Sequence, residues 1–264
     1  MHPVGVYDHL ELERAGAGIS LTCSDSRLPV HSKNLVVRAA TLFFETARIG
    51  AGEGVRIHLN KKVPIAAGLG GGSANAAVTL LALNELFDGP LSREKITELA
   101  ASLGSDIPFF LQNGPALATG RGEIITPLDF FEPLRGTYLV LIHPHFGVST
   151  PWAYQQLARF PSALRGITGR ARQLVSRLRT DLSQAAGEFY NSLEMPVLWK
   201  YPLLELFQEN CRENGAVAAL MSGSGSTTFA LAASEKSAER ILEGFKSKFG
   251  ASFWMSIVDT VPKT

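Results

Sequence analysis

Gly68-Leu69-Gly70-Gly71-Gly72 restricts this chain more than any other segment. Four glycines in five positions leave a backbone without side chains, free to take conformations closed to other residues. Its flanks give it a setting. Val55-Arg56-Ile57-His58-Leu59 alternates apolar and polar, the period of a strand with one buried face. Beyond the cluster, Ala76, Leu80, Leu83 and Phe87 recur at helical spacing. A glycine loop that opens a helix lets first-turn N–H groups reach an anion, with the positive end of the helix dipole behind them. That arrangement suits a polyphosphate. The Ser73 hydroxyl is available to a phosphate oxygen or its magnesium ion, and Lys61 or Lys62 can screen charge from the rim. The plain alternative is a tight turn packed under a helix. Neither GxxxxGK[ST] nor GxGxxG occurs at the loop, which sets aside Walker-type NTPases and dinucleotide-binding folds.

Downstream, a second helix is predicted from Ser92, with Ile96, Leu99, Ala100 and Leu103 on one stripe and Gly104 ending it in a left-handed conformation. Ser105 and Asp106 precede Ile107-Pro108, where either side chain can cap the next turn. Asp106 has a second reading, because a carboxylate beside a hydroxyl can accept its proton or aim its lone pair at phosphorus. From the residues alone both stand. Tyr138 to His143 reads as a buried strand, and Thr150-Pro151 as a helix cap with a first-turn proline. Ala216 to Met221 and Thr227 to Ala232 read as strands joined across Ser222-Gly223-Ser224-Gly225-Ser226, whose glycines favour a close approach to Ser224. Ser234 caps a helix carrying Ile241, Leu242, Phe245 and Phe249, Gly250 stops it, and Phe253 to Val258 is the last strand. This order predicts an α+β sandwich, with helices on one face of a mainly antiparallel sheet. Arg165, Arg170, Arg172, Arg177 and Arg179 mark a solvated face or a lobe boundary, in preference to a diphosphate site.

Composition narrows the partners. With 264 residues, 45% of them hydrophobic, the chain can bury one large core or two packed lobes. Its 25 Lys plus Arg balance 24 Asp plus Glu, so no general positive field exists to hold a nucleic acid. Cys23 and Cys211 lie far apart with no CxxC, and His143 and His145 have no carboxylate or thiol nearby; neither a disulfide scaffold nor a protein-held metal is expected. No apolar run approaches the ~18 residues of a membrane span, and Met1-His2-Pro3-Val4 is not a basic-then-apolar leader. The expectation is a cytoplasmic monomer or homodimer that binds small molecules, with neither nucleic acid nor membrane as partner.

Pro64 to Ala77 resembles the second motif of the GHMP kinases (galactokinase, homoserine kinase, mevalonate kinase, phosphomevalonate kinase), whose glycine-rich loop wraps ATP phosphates. GLGGGSANAA, with LALNELF after it, is most similar to the branch that phosphorylates 4-diphosphocytidyl-2-C-methyl-D-erythritol on the non-mevalonate route to isoprenoid precursors. Asn34 to Ala40, Leu103 to Phe110, Asn191-Ser192-Leu193-Glu194 and Met221 to Ser226 match as well, the last resembling the family's third motif. The resemblance implies an α+β fold of two lobes: a ribosomal protein S5 domain 2-like ATP-binding lobe over residues 1–135 and a ferredoxin-like lobe over 136–264. It implies ATP as co-substrate, accompanied by Mg2+. It puts Pro64, Ile65, Ala66, Ala67, Gly68, Leu69, Gly70, Gly71, Gly72, Ser73 and Ala74 on the nucleotide, makes Asp106 catalytic, and sets Gly223, Ser224, Gly225 and Thr150 at the border of the active site between the lobes.

The first motif departs from the family. An AKINL-like run and a DGYHEL-like run are missing, and Tyr7-Asp8-His9-Leu10-Glu11 is only superficially similar to the second, standing too close to Asn34. Val4 to Glu13 is matched instead to the next strand, with its V-x-L-x-D-x-L pattern. On that match a segment of about 30 residues belongs upstream of Met1, including a lysine that would pair with Asp106. Two other readings stay open: a GHMP kinase acting on a different alcohol or phosphate, and a nucleotide-binding module without activity.

Overall fold

The alternation at Val55, Ile57 and Leu59 becomes the central strand of a three-stranded sheet, all three side chains buried. The computed structural model describes residues 1–164 and 169–261, which fall into two compact units. The first comprises Met1–His2, Val6–Val63 and Gly70–Leu128; the second comprises Pro3–Gly5, Pro64–Leu69 and Asp129–Thr264. The chain passes from the second unit to the first inside the glycine cluster, at Leu69-Gly70.

In the first unit, strands β1 (His9–Ala15) and β2 (Gly18–Cys23) flank β3 (Gly54–Asn60), β1 antiparallel and β2 parallel to it. The strand expected over Val4 to Glu13 therefore begins later, at His9, because Asp8 is held away from the ladder by the polar contacts described below. Helix α1 (Leu35–Ala47) starts at Asn34, whose side chain accepts from the Val36 N–H at 2.9 Å. Val36, Ala39, Ala40 and Phe43 form its buried stripe. Helix α2 (Gly71–Leu86) buries Ala76, Ala77, Leu80 and Leu83 against α1 and the sheet, and α3 (Arg93–Leu103) follows with Ser92 as its cap. Gly104 is extended (φ 174°, ψ 147°), not left-handed as expected. The chain leaves α3 extended and turns at once into the 3-10 segment Ile107–Leu111, and a Cβ at Gly104 would sit 3.3 Å from the Ile107 side chain. The hairpin β4 (Ala116–Thr119) and β5 (Ile124–Pro127) completes the unit.

The second unit is built on an antiparallel four-stranded sheet, in which β6 (Tyr138–His143), β7 (Ala218–Met221), β8 (Thr228–Ala232) and β9 (Trp254–Asp259) run in the order β7-β8-β6-β9. Between β6 and β7 lie α4 (Thr150–Leu157), α5 (Pro161–Leu164), α6 (Arg170–Leu178), α7 (Leu182–Ala186), α8 (Glu194–Lys200) and α9 (Leu203–Glu213). The last helix, α10 (Glu235–Phe249), opens with the expected Ser234 cap, reciprocated by Ser237 in a capping box. Phe207 of α9 and Phe245 of α10 pack edge to face with centroids 4.7 Å apart, and Phe249 and Phe253 close around Phe207. Each unit thus has its own apolar core, as the burial of separate clusters shows. Of the arginine-rich stretch, Arg165 lies outside the described residues. Arg170 and Arg177 of α6 flank Glu188, at 3.9 and 3.0 Å, so two of these charges are spent on a local ion pair.

Candidate active site

The glycine loop is divided between the two units, so its halves are built separately. In the first unit, α2 begins at Gly70, which takes φ 66° and leaves the helix with no side-chain cap. Its first-turn N–H groups therefore keep no capping side chain, and the helix presents a bare positive end. A Cβ at Gly70 would lie 2.5 Å from the tip of the Phe110 ring, and one at Gly71 would lie 3.0 Å from Val63 and 3.1 Å from Lys61 Nζ. Glycine is required at Gly70 on two counts, backbone conformation and the approach of Phe110.

Phe110 belongs to the 3-10 turn that Asp106 opens. Asp106 stands at its N-cap position with αR backbone angles and makes no capping hydrogen bond. The helix-capping reading thus fails for this residue: the carboxylate is exposed and faces the β4–β5 turn, where a Cβ on Gly122 would come within 3.4 Å of Oδ1. Ser73 and Ala74 lie in the first turn of α2, partly exposed.

Lys61 is not the rim cation expected. Its ammonium donates to Asp8 Oδ2 at 2.5 Å, with side-chain exposures of 5% and 2%. Asp8 Oδ2 also accepts from Asn75 Nδ2 at 3.0 Å, and Oδ1 accepts from the Lys62 and Val63 N–H groups at 2.7 and 2.8 Å. Burial alone pushes the Asp8 carboxyl up. The Lys61 hydrogen bond, the two backbone donors and the Lys61 charge outweigh it and hold the group below the ordinary value of 3.8. Sequence reasoning missed Asp8 and Asn75. The available signal was the acid in the V-x-L-x-D-x-L pattern, which Asp8 supplies.

In the second unit, Pro64–Leu69 lies against the Ser222–Ser226 turn. Ser222 Oγ donates to the Gly68 carbonyl at 2.9 Å, the Thr227 N–H donates to Ala67 O at 3.1 Å, and the Val148 N–H donates to Ala66 O at 3.3 Å. Gly68 takes φ 76°, and a Cβ there would overlap the Ser222 carbonyl oxygen and lie 2.9 Å from Gly225 N. Gly223 (φ 53°) would bring a Cβ to 3.0 Å from Gly68 O. Ser224 is buried, its hydroxyl 2.8 Å from Thr150 Oγ1. Thr150 does not cap α4: Ser149 does, accepting from the Trp152 N–H at 3.4 Å, while Thr150 is the first helical residue. The cap is one residue earlier than expected, and the Thr150 hydroxyl is engaged with Ser224 instead.

Sequence reasoning quoted Asn191 and Glu194 without assigning them work. Asn191 Nδ2 donates to Met221 O at 2.9 Å and Gly223 O at 2.7 Å, while its Oδ1 accepts from the Leu193 N–H. Glu194 Oε1 accepts from the Met221 N–H at 2.7 Å and Gln208 Nε2 at 2.8 Å. Burial pushes the Glu194 carboxyl up, only partly offset by those donors.

In the first unit an uncapped helix end follows Gly70, with the exposed carboxylate of Asp106 on the turn that carries Phe110; in the second, the Ser222–Ser226 turn is hydrogen-bonded to Gly68. The sequence matches the GHMP kinases N terminal domain over residues 34–114 and the GHMP kinases C terminal domain over residues 171–251. The chain belongs to the GHMP kinases, with their two-lobe architecture. It is 40% identical to a 4-diphosphocytidyl-2-C-methyl-D-erythritol kinase of Synechococcus sp. (strain JA-3-3Ab), across 97% of this chain and 84% of that protein. A protein of the same name from Clostridium perfringens (strain ATCC 13124) is 36% identical, across 94% and 84%. Among solved structures, a 4-(cytidine 5'-diphospho)-2C-methyl-D-erythritol kinase superposes with a TM-score of 0.76 at 32% identity, covering 98% of this chain and 88% of that one.

Proposed function

We propose that the chain is an ATP-dependent small-molecule kinase that phosphorylates the 2-hydroxyl of 4-diphosphocytidyl-2-C-methyl-D-erythritol, a step toward isoprenoid precursors. The hydroxyl oxygen bonds to the γ-phosphorus, the bridge between the β- and γ-phosphates breaks, ADP leaves with the electron pair, and the hydroxyl proton passes to a carboxylate or to water. Kinship carries the substrate. The arrangement of Gly70 carries the residue roles: the uncapped end of α2 rests on Phe110, in the turn that Asp106 opens.

Residues Pro64 to Ala74 hold the triphosphate through main-chain donors, with Ser73 beside its oxygens. Asp106 addresses the acceptor hydroxyl, and Gly223, Ser224, Gly225 and Thr150 border the site. Among the described residues no group of three His, Cys, Asp or Glu side chains is arranged to hold a metal ion. Mg2+ would accompany the nucleotide and neutralise its phosphate charge. No helix among the described residues is long and apolar enough to cross a membrane. Cys23 and Cys211 are free thiols, which suits the cytoplasm.

The test is ADP release from ATP with a panel of alcohols, beside Asp106→Asn. Turnover should require the cytidyl acceptor. The variant should lose about 10²- to 10⁴-fold in kcat, the range for a positioned proton acceptor, with little change in KM for ATP. Turnover on another acceptor alone would overturn the substrate, and an unimpaired Asp106→Asn the role of the carboxylate.

A further inference from the structure

The Asn191–Glu194 segment has no role assigned by kinship, yet its polar atoms converge on one short stretch of main chain that includes Gly223. Asn191 spends both amide protons on the carbonyls of Met221 and Gly223, two residues apart on the same turn. Glu194 takes the N–H of Met221. The turn is thus gripped through both its donors and its acceptors. It has little side chain of its own with which to hold a shape, since Gly223 and Gly225 both take positive φ.

The same turn holds the loop. Ser222, between the two carbonyls that Asn191 binds, donates to Gly68 O. The main chain of Gly68 and that of the turn approach so closely that a Cβ on Gly68 would overlap the Ser222 carbonyl oxygen and one on Gly223 would stand 3.0 Å from Gly68 O. A shift of the turn by a few tenths of an ångström therefore has to move Gly68. Gly68 is itself one of the residues proposed to hold the triphosphate.

We infer that Asn191 and Glu194 are positioning residues for the nucleotide: they hold the Met221–Gly225 turn, and through it the Gly68 end of the glycine loop, in the phosphate-binding shape. The inference rests on the kinase reading above. Its mechanical basis is preorganisation. A glycine loop without the clamp samples many conformations, and ordering it on binding costs affinity.

Asn191→Asp keeps the size and the acceptor for Leu193 but turns a carboxylate toward two carbonyls. Glu194→Ala removes the acceptor for Met221. Glu194→Gln keeps an amide oxygen there and is the conservative rescue. Steady-state kinetics and direct titration with ATP read the outcome, beside Phe245→Leu as a core variant that lowers the melting temperature of the same unit. Each lost hydrogen bond weakens an equilibrium by a factor of about 2 to 10. Asn191→Asp, which loses two bonds to the turn, should raise both KM and Kd for ATP about 4- to 100-fold, and Glu194→Ala, which loses one, about 2- to 10-fold, with kcat at saturating ATP within about twofold. Glu194→Gln should stay near the parent, and Phe245→Leu should lose melting temperature without losing ATP affinity. Should Asn191→Asp fail to fold, Asn191→Ser, too short to reach Gly223, takes its place. Parent-like ATP affinity in Asn191 and Glu194→Ala variants, or an equal loss in Phe245→Leu, overturns the inference and leaves the kinase reading intact. Failure of the parent to bind ATP overturns both.

Discussion

Asp8→Ala removes the acceptor from a pair that has almost no access to water. Four donors converge on this carboxylate, from Lys61, Asn75 and the main chain of Lys62 and Val63, at 2.5 to 3.0 Å. Truncation leaves the Lys61 ammonium buried without its counter-charge. Breaking such a pair costs about 3–5 kcal/mol, because the stranded ion keeps its desolvation penalty and loses its partner. The Arg14–Asp88 pair, at a comparable 2.7 Å but with side-chain exposures of 49% and 88%, belongs to the class worth about 0–1 kcal/mol. Urea unfolding followed by far-ultraviolet circular dichroism should therefore show a loss several times larger for Asp8→Ala than for Asp88→Ala. Asp8→Ala/Lys61→Met should recover part of that loss, since no unpaired ammonium remains. The pH dependence has a fixed sign. With its folded pKa below 3.8, Asp8 contributes stability that is present above that value and disappears as pH falls through the lower folded value. A loss under about 1 kcal/mol, or a double variant no better than Asp8→Ala, would refute the reasoning.

Two other outcomes follow from the second unit. Gly68→Ala combines a left-handed backbone, costing about 1–2 kcal/mol for a residue with a Cβ, with an overlap that forces the loop off Ser222; a melting-temperature drop and weaker ATP binding should appear together. Glu194 titrates in the opposite sense to Asp8. Its raised folded pKa gives stability fully present below its ordinary 4.5 and lost as pH rises through the folded value, a slope that unfolding curves of Glu194→Gln should lack.

Much of the fold was legible because it follows from local periodicity. The strand at Val55 to Leu59, the stripe at Ala76, Leu80, Leu83 and Phe87, and the Ser234 cap are each set by residues within a few positions of one another. The failures fall where several local solutions compete. Both Ser149 and Thr150 can cap α4, and the choice depends on the hydroxyl of Ser224, distant in sequence. A glycine after α3 can end a helix left-handed or extended, and the following 3-10 turn selects the extended form. Lys61 and Lys62 are neighbours of the same type, and only the position of Asp8 buries the first and leaves the second exposed.

By itself the sequence determined that a strand leads through four clustered glycines into a helix, and with that the chemistry of an anion-binding loop, because glycine spacing and hydrophobic period act over a few residues. Tertiary structure alone decided what holds the loop. Asp8 reaches Lys61 and Asn75 across 53 and 67 positions, and Ser222 reaches Gly68 across 154. A hydrogen bond of that span leaves no periodic trace in the sequence, since its partners meet only when the sheets and helices between them have packed.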